Sequence, residues 1–462
     1  MNAKGFAWWC PFVLARLSLL AGLSLPSISQ AQAPQPGAAP PALKLADALS
    51  RARQYAGQIQ SANLAVLQAR EDTAQARAAR LPSLSALNQF LYTEGNGTPS
   101  GVYVANDGVH VYNEQAVLHQ ELLAVARNAE VRRAAAAEAL ARAKVEVAAR
   151  GLDATVVQDY YAIVSAKRHL ANAQISLREA ERFLAITQDL EKGGESAHSD
   201  VIKARIDLEQ RRRDLREAEA AIEKAKIALG VLIFPDFSSS FEVVDDLDPG
   251  AALPELAEAR SQAAATNPDL KSAAASLLQS GYDIGVARYG YLPSLSVDFY
   301  YGIDANQFAV RTGYPTPSSG RSTLPDTEVE GRKNLGYAAA VTLNVPLWNW
   351  GATHSKVKQA EEKRDQARLD LALTRRTLAS AVASMYAEAR AAQSQLDSLR
   401  GSVDLAAESL RLTVLRYQAG EAVALEVVDA QTTVTAARNA YDDGLARYQV
   451  ALDNLKILTG TL

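Results

Sequence analysis

Residues Leu292-Pro293-Ser294-Leu295-Ser296-Val297-Asp298-Phe299-Tyr300-Tyr301-Gly302-Ile303 decide how this chain is built. After the proline the side chains alternate. Leu295, Val297, Phe299, Tyr301 and Ile303 share one face, and Ser294, Ser296, Asp298, Tyr300 and Gly302 share the other. A later segment repeats the pattern, with Tyr337, Ala339, Val341, Leu343, Val345 and Leu347 against Ala338, Ala340, Thr342 and Asn344. Segments of about ten residues with one apolar and one small or polar face fit lipid on one side and water on the other. A soluble β-sandwich face alternates in the same way, so alternation alone leaves both readings open. Tyr337, Trp348 and Trp350 fall at strand ends, where interfacial aromatics anchor a barrel.

The opening of this stretch occurs twice. Leu81-Pro82-Ser83-Leu84-Ser85 precedes Leu292-Pro293-Ser294-Leu295-Ser296 by 211 residues, and the same offset pairs Ala46-Asp47-Ala48 with Ala257-Glu258-Ala259. Further along the offset is 226, pairing Tyr160 with Tyr386, Gly194 with Gly420 and Leu229 with Leu455. The chain therefore reads as two similar halves, 42–233 and 253–460, joined by a linker at 234–252. Each half reads helix, β-hairpin, long helix, turn, helix. The β-hairpins are expected at 83–120 and 294–347, and the helical hairpins at 124–232 and 351–459. In the first-half strands Asn88, Asn113, Gln115 and His119 fall on what should be the outward face, so either a bulge shifts the register or the boundaries differ.

No proline interrupts Gly108–Phe234, and none follows Pro346. Val156, Asp159, Ile163, Ala166, Leu170, Ala173, Leu177, Ala180, Leu184 and Thr187 keep a 3-4 heptad spacing, as do their partners 226 residues on. Val201, Ala204, Leu208, Arg211 and Leu215 begin the same spacing on the returning helix. Such seams specify coiled-coil packing, and the alanines let helix axes approach closely. They are packing surfaces and make no cofactor site.

Composition limits the function. The chain has 462 residues and a formal net charge of −4. Lys4, Arg16, the apolar run Phe12–Leu25 and Ala31-Gln32-Ala33 read as a signal peptide over 1–33, with 34–41 a disordered mature N-terminus. Its removal takes Cys10, the only cysteine, together with two basic residues, leaving −6 and no thiol chemistry. An acidic chain argues against nucleic acid, whose phosphates need a basic footprint. No metalloprotease, P-loop or nucleophile-elbow motif occurs, and the five histidines (110, 119, 169, 198 and 354) are scattered. No catalytic residue, metal or cofactor is expected. Asp245-Asp246-Leu247-Asp248 reads as an acidic linker.

Four strands cannot close a barrel, and lipid tolerates no open edge, so closure demands oligomerisation. Thr266-Asn267-Pro268-Asp269-Leu270, the two Leu-Pro-Ser-Leu boundaries, Asn344-Val345-Pro346-Leu347-Trp348-Asn349-Trp350-Gly351, Arg416-Tyr417-Gln418-Ala419-Gly420 and Glu426-Val427-Val428-Asp429-Ala430-Gln431 together resemble the TolC-type outer-membrane efflux family. The resemblance covers nearly all of the mature chain. It implies an α+β membrane protein, a homotrimer. Its long antiparallel coiled-coil helices form a periplasmic α-barrel, and two β-hairpins per chain contribute to a twelve-stranded outer-membrane β-barrel. Such a duct stands in outer-membrane lipid and meets a periplasmic adaptor and an inner-membrane transporter. A periplasmic coiled-coil adaptor is the alternative, and an enzyme on a helical scaffold a remote third.

Gly194 and Gly420 mark where each helical hairpin reverses, with Asp200 and Glu426 six residues on and Asp429 one turn beyond Glu426. A solvated helix face is the plain reading of these carboxylates. By resemblance, Glu426 and Asp429 ring the periplasmic mouth as gate and selectivity element, while Gly194, Asp200 and Gly420 belong to tips that dock the adaptor. The first half has Ala56-Gly57 in place of Asn267-Pro268, and Gln120 and Val125 in place of Pro346 and Gly351. Its strand-to-helix joint is expected to be smoother.

Overall fold

A computed structural model describes residues 42–92, 110–122, 125–236, 240–247, 252–306 and 335–462. The signal peptide and the disordered N-terminus expected over 1–41 lie outside them, as does Asp248. All elements belong to the unit Ala42–Leu462. In chain order the first half holds β1 (Ala42–Leu43), α1 (Leu45–Tyr55), α2 (Gly57–Ala78), β2 (Ser83–Tyr92), β3 (His110–Glu121), α3 (Val125–Lys192) and α4 (His198–Ile233). Then follow β4 (Glu242–Val243), α5 (Leu256–Thr266), α6 (Pro268–Arg288), a 3-10 turn at Tyr289–Tyr291, β5 (Ser294–Asn306), β6 (Leu335–Asn344), α7 (Ala352–Gln418) and α8 (Ala424–Thr459). At about 1.5 Å per residue the 68 residues of α3 run about 100 Å.

The leading helix of each half, expected as one piece, is broken in two. Ala56 (φ −63°, ψ 125°) and Asn267 (φ −59°, ψ 124°) hold the same extended conformation at repeat-equivalent positions. Pro268 excludes helical geometry from the residue before it, and the Asn267 side chain caps α6 by accepting from the amides of Asp269 (2.9 Å) and Leu270 (3.3 Å). The first half makes the same break with Gly57 and no side-chain cap.

The strands form one antiparallel sheet in the order β2-β3-β5-β6. The β2–β3 register runs unbroken from Ser83↔His119 to Tyr92↔His110, so no bulge shifts these strands. β5 then pairs with β3 through His119↔Asp298 and Leu118↔Phe299. The expectation for β3 is therefore corrected. Asn113, Gln115 and His119 share the polar face with Ser83, Ser296 and Asp298, and only Asn88 stays on the apolar face with Leu84, Phe90, Leu118 and Val341. Leu87 and Val117 on the polar face blur the alternation that would have revealed the parity.

Helices form a layer in the same column order. α3 packs between α2 and α6 towards the sheet, and between α4 and α8 towards the hairpin turns, while α7 packs on α6 and α8. β2 follows α2, β3 feeds α3, β5 follows α6 and β6 feeds α7, so every strand continues a helical column. Polar pairs stitch α3 to α8 across the two halves: Tyr161 to Asp453 (3.1 Å), Asn172 to Asn439 (2.9 Å) and Arg438 to Glu179 (3.3 Å).

The 234–252 segment does more than join the halves. Its β4 pairs in parallel with β1, and Tyr160 donates to the carbonyls of Val244 (2.9 Å) and Leu43 (3.4 Å). Lys167 and Lys226 both pair with Glu242, and Arg168 grips Asp245 through two bonds of 2.7 and 2.9 Å. Leu43, Val156, Tyr160, Leu229, Ile233 and Phe241 pack into one core beneath this clasp. Burial of such side chains contributes about 1.5–3 kcal/mol each.

Candidate functional site

Both helical hairpins reverse through the same turn. α3 ends at Lys192 with Gly194 at φ +75°, and α7 ends at Gln418 with Gly420 at φ +75°. The amide of Glu195 bonds the Leu190 carbonyl (2.9 Å), as that of Glu421 bonds the Arg416 carbonyl (2.8 Å). This pairing satisfies carbonyls that a helix end leaves open, and its left-handed residue is cheapest as glycine.

The two tips touch. Phe183 of α3, Ala204 of α4, Tyr417 of α7 and Ala424 and Val427 of α8 form a buried cluster. Tyr417 packs edge-on to Phe183 with ring centroids 5.2 Å apart, and its hydroxyl lies 3.1 Å from the Ser196 hydroxyl in the first turn. Burial, aided by the nearby Asp200 carboxylate, pushes the Tyr417 hydroxyl above its usual range, while the Ser196 bond opposes the rise. Asp200 is mostly buried and contacts Ser196 and Lys203, each at 3.5 Å. Sequence reasoning missed this contact, although Tyr417 stands inside a quoted motif.

The carboxylates of the second tip differ from one another. Glu426 accepts from the Val423 amide (3.3 Å), closing the first turn of α8, and from Arg416 (3.4 Å). Arg416 also donates to the Glu421 carbonyl (3.1 Å). Glu426 is thus bound into its own hairpin. Asp429 lies exposed one turn on, and among the described residues its carboxylate has no ion-pair partner. One protomer brings Glu426 and Asp429 to one end of α8, beside the turn held by Gly420.

Above the tips a buried ion pair within α4 reaches α8. Arg211 and Asp207 are 7% and 5% exposed and 3.0 Å apart, and Arg211 reaches Thr432 of α8 at 2.7 Å. Burial raises the Asp207 carboxyl above its ordinary range against the pull of Arg211. A basic residue in the heptad seam was the available signal for this pair.

At the other end of the layer, Tyr337 lies near the outer end of β6 and stacks on Phe299 at 6.1 Å. Trp348 and Trp350 follow the strand rather than ending it. They meet edge-to-face at 5.8 Å and are 77% and 89% exposed, just before α7. Trp350 (φ +54°) and Gly351 (φ +81°) make the sharp joint into the helix. No helix among the described residues is long and apolar enough to cross a membrane, and no group of metal-ligating side chains occurs among them.

Comparison with known proteins gives one family. The profile of the outer membrane efflux protein family matches residues 48–233 and 259–461, one stretch in each half. Protein CyaE of Bordetella pertussis is 26% identical over 298 residues, covering 62% of this chain and 57% of that protein. Outer membrane protein OprJ of Pseudomonas aeruginosa is 27% identical over 335 residues, covering 70% and 64%. The chain thus spans less than two thirds of the length of these relatives. The fold matches the crystal structure of the outer membrane protein VceC of Vibrio cholerae with a TM-score of 0.74, at 17% identity, covering 90% of this chain and 96% of that one.

Proposed function

This chain belongs to the outer membrane efflux protein family, and on that premise we propose that it is a passive outer-membrane exit duct, serving tripartite efflux or type I secretion. The observation that carries this reading is the shared pair of open flanks. The sheet ends at β2 and β6, and the helical layer ends in the same columns, at α2 and α4 on one side and α7 on the other. Large apolar side chains stand exposed on those end helices: Leu64 on α2, Ile206 and Ile227 on α4, and Leu373 and Leu412 on α7. Such a protomer closes by head-to-tail repetition, which removes every strand edge and covers both helical flanks at once. Three copies give twelve strands, with the apolar sheet face towards lipid and the polar face towards water.

In this reading Tyr337 and the Trp348–Trp350 pair anchor the barrel at its two interfaces. The helical hairpins continue the lumen into the periplasm, and the tips at Gly194 and Gly420 receive a periplasmic adaptor coupled to an inner-membrane transporter. The gate is the tip cluster. The Tyr417–Ser196 contact holds the second hairpin against the first, Glu426 keeps its turn wound, and Asp429 supplies ring charge that favours cations. Drive comes from the partners. Membrane fractionation tests the proposal: recovery from the outer membrane as a detergent-stable trimer supports it, and recovery as an inner-membrane-associated monomer overturns it.

A further inference from the structure

Among the described residues, the polar face of the sheet has four charge-bearing positions: His119 and Glu121 on β3, and Asp298 and Asp304 on β5. Serine, glutamine, asparagine and small residues fill most of it, and at its root Glu121 is neutralised by Arg127 at 2.8 Å. One contact stands apart. His119 of β3 and Asp298 of β5 are direct cross-strand partners, and His119 Nδ1 lies 2.6 Å from Asp298 Oδ1. The pair joins the first repeat to the second, and it sits near the helix end of the sheet, since Ser83, the first residue of β2, faces His119. The imidazole is half exposed, and the carboxylate is 20% exposed.

We infer that the His119–Asp298 pair is the charge-selective element at the helix end of the β-barrel lumen and favours cations there. The inference rests on the duct reading. A neutral imidazole donating through Nδ1–H fixes the carboxylate on the polar face without cancelling its charge. Threefold repetition places three such carboxylates at one level, where the barrel opens from the helical section. Rings of like charge raise the local concentration of counter-ions and exclude co-ions. The reach of such a ring is the Debye length, about 30 Å at 0.01 M salt but about 3 Å at 1 M. Selectivity from this ring is therefore strong in dilute salt and vanishes in concentrated salt. Glu121 sits one alternate position away on the same strand, and Arg127 offsets it; Tyr300, next on β5 along this face, adds no charge, and Asp304 stands three alternate positions out from Asp298.

The test is reversal potential in a planar bilayer at about pH 8, where imidazole is ordinarily neutral, with a dilute potassium chloride gradient. Trimers of the full chain carrying Asp429→Asn serve as background, so that tip charge does not mask the barrel. Adding Asp298→Asn is expected to lower the cation-to-anion permeability ratio at least about twofold, with no such change in 1 M salt. Asp298→Glu retains the charge and is expected to retain the ratio, and His119→Gln, which still donates a hydrogen bond, does likewise. Detergent-stable trimers show that each variant is assembled. An unchanged ratio in assembled Asp298→Asn channels overturns the inference while the duct stands. Failure of the unsubstituted trimer to conduct at all overturns the duct reading and this inference with it.

Discussion

The hydroxyl of Tyr417, at the end of the second long helix, lies 3.1 Å from the hydroxyl of Ser196 in the first hairpin turn. It is a direct polar link between the two tips of a protomer. Phe183 and Val427 bury the ring, so the bond is partly shielded from water.

Tyr417→Phe keeps the packing on Phe183 and removes only the link. The expected cost is about 1 kcal/mol per protomer, spent on freeing the second hairpin from the first. Single-channel recording should show more frequent or longer openings than the parent trimer. Identical gating would mean that the tips are held elsewhere.

Glu426 and Asp429 should part company on mutation. Glu426→Ala opens the first turn of α8 and releases Arg416, which predicts a loss of about 0.5–2 kcal/mol and a looser tip. Asp429→Asn touches no partner and should leave thermal unfolding unchanged while weakening cation preference and divalent block. Equal effects of the two substitutions on stability would contradict these separate roles.

Arg211→Ala strands the buried Asp207 carboxylate, a loss of about 3–5 kcal/mol. Replacing both, as Asp207→Leu with Arg211→Met, removes the uncompensated charge, so the double variant is expected to regain most of the stability. Chemical denaturation of the parent, Asp207→Leu, Arg211→Met and the double variant gives the coupling directly. Simple additivity would show the pair to be independent.

The clasp responds to acid. Bonds from Lys167 and Lys226 hold the Glu242 carboxyl below its ordinary range. Its folded state therefore binds fewer protons than the unfolded chain. The contribution is fully present above the ordinary carboxyl range, at about pH 4.3, and is lost as pH falls through the lower folded value. Glu242→Gln should flatten this part of the stability profile on the acid side of about pH 4.3. An unchanged slope would show that another carboxylate carries it.

Much of this architecture was legible in the sequence because it is duplicated. The Leu-Pro-Ser-Leu motifs stand where β2 and β5 begin, at Ser83 and Ser294, and Gly194 and Gly420 stand in the two turns. Contacts that carry no periodic signal were not legible. β1 and β4 are two residues each, too short to alternate, so the clasp read as a linker. The parity of β3 was hidden by Val117 on a polar face and Glu114 on an apolar one. Glu426 is a capping residue without the usual Ser or Thr at the cap, since Val423 stands there and only the reciprocal half of the box forms. Ser196 and Tyr417, or Arg211 and Thr432, meet only after folding, with 221 residues between the partners of each pair.

The central claim is closure of the β2 and β6 edges between copies, and disulfide mapping tests it most directly. The sequence holds one cysteine, Cys10, and none within residues 42–462, so the described residues offer a clean background. Ser85→Cys on β2 is combined in turn with Ala338→Cys, Ala340→Cys or Thr342→Cys on β6, all on the polar face. Mild oxidation of the assembled protein is predicted to link at least one pair between copies and to end at a covalent trimer, with dimer only in passing. A product that stops at dimer, or a ladder that continues past trimer, would contradict the account.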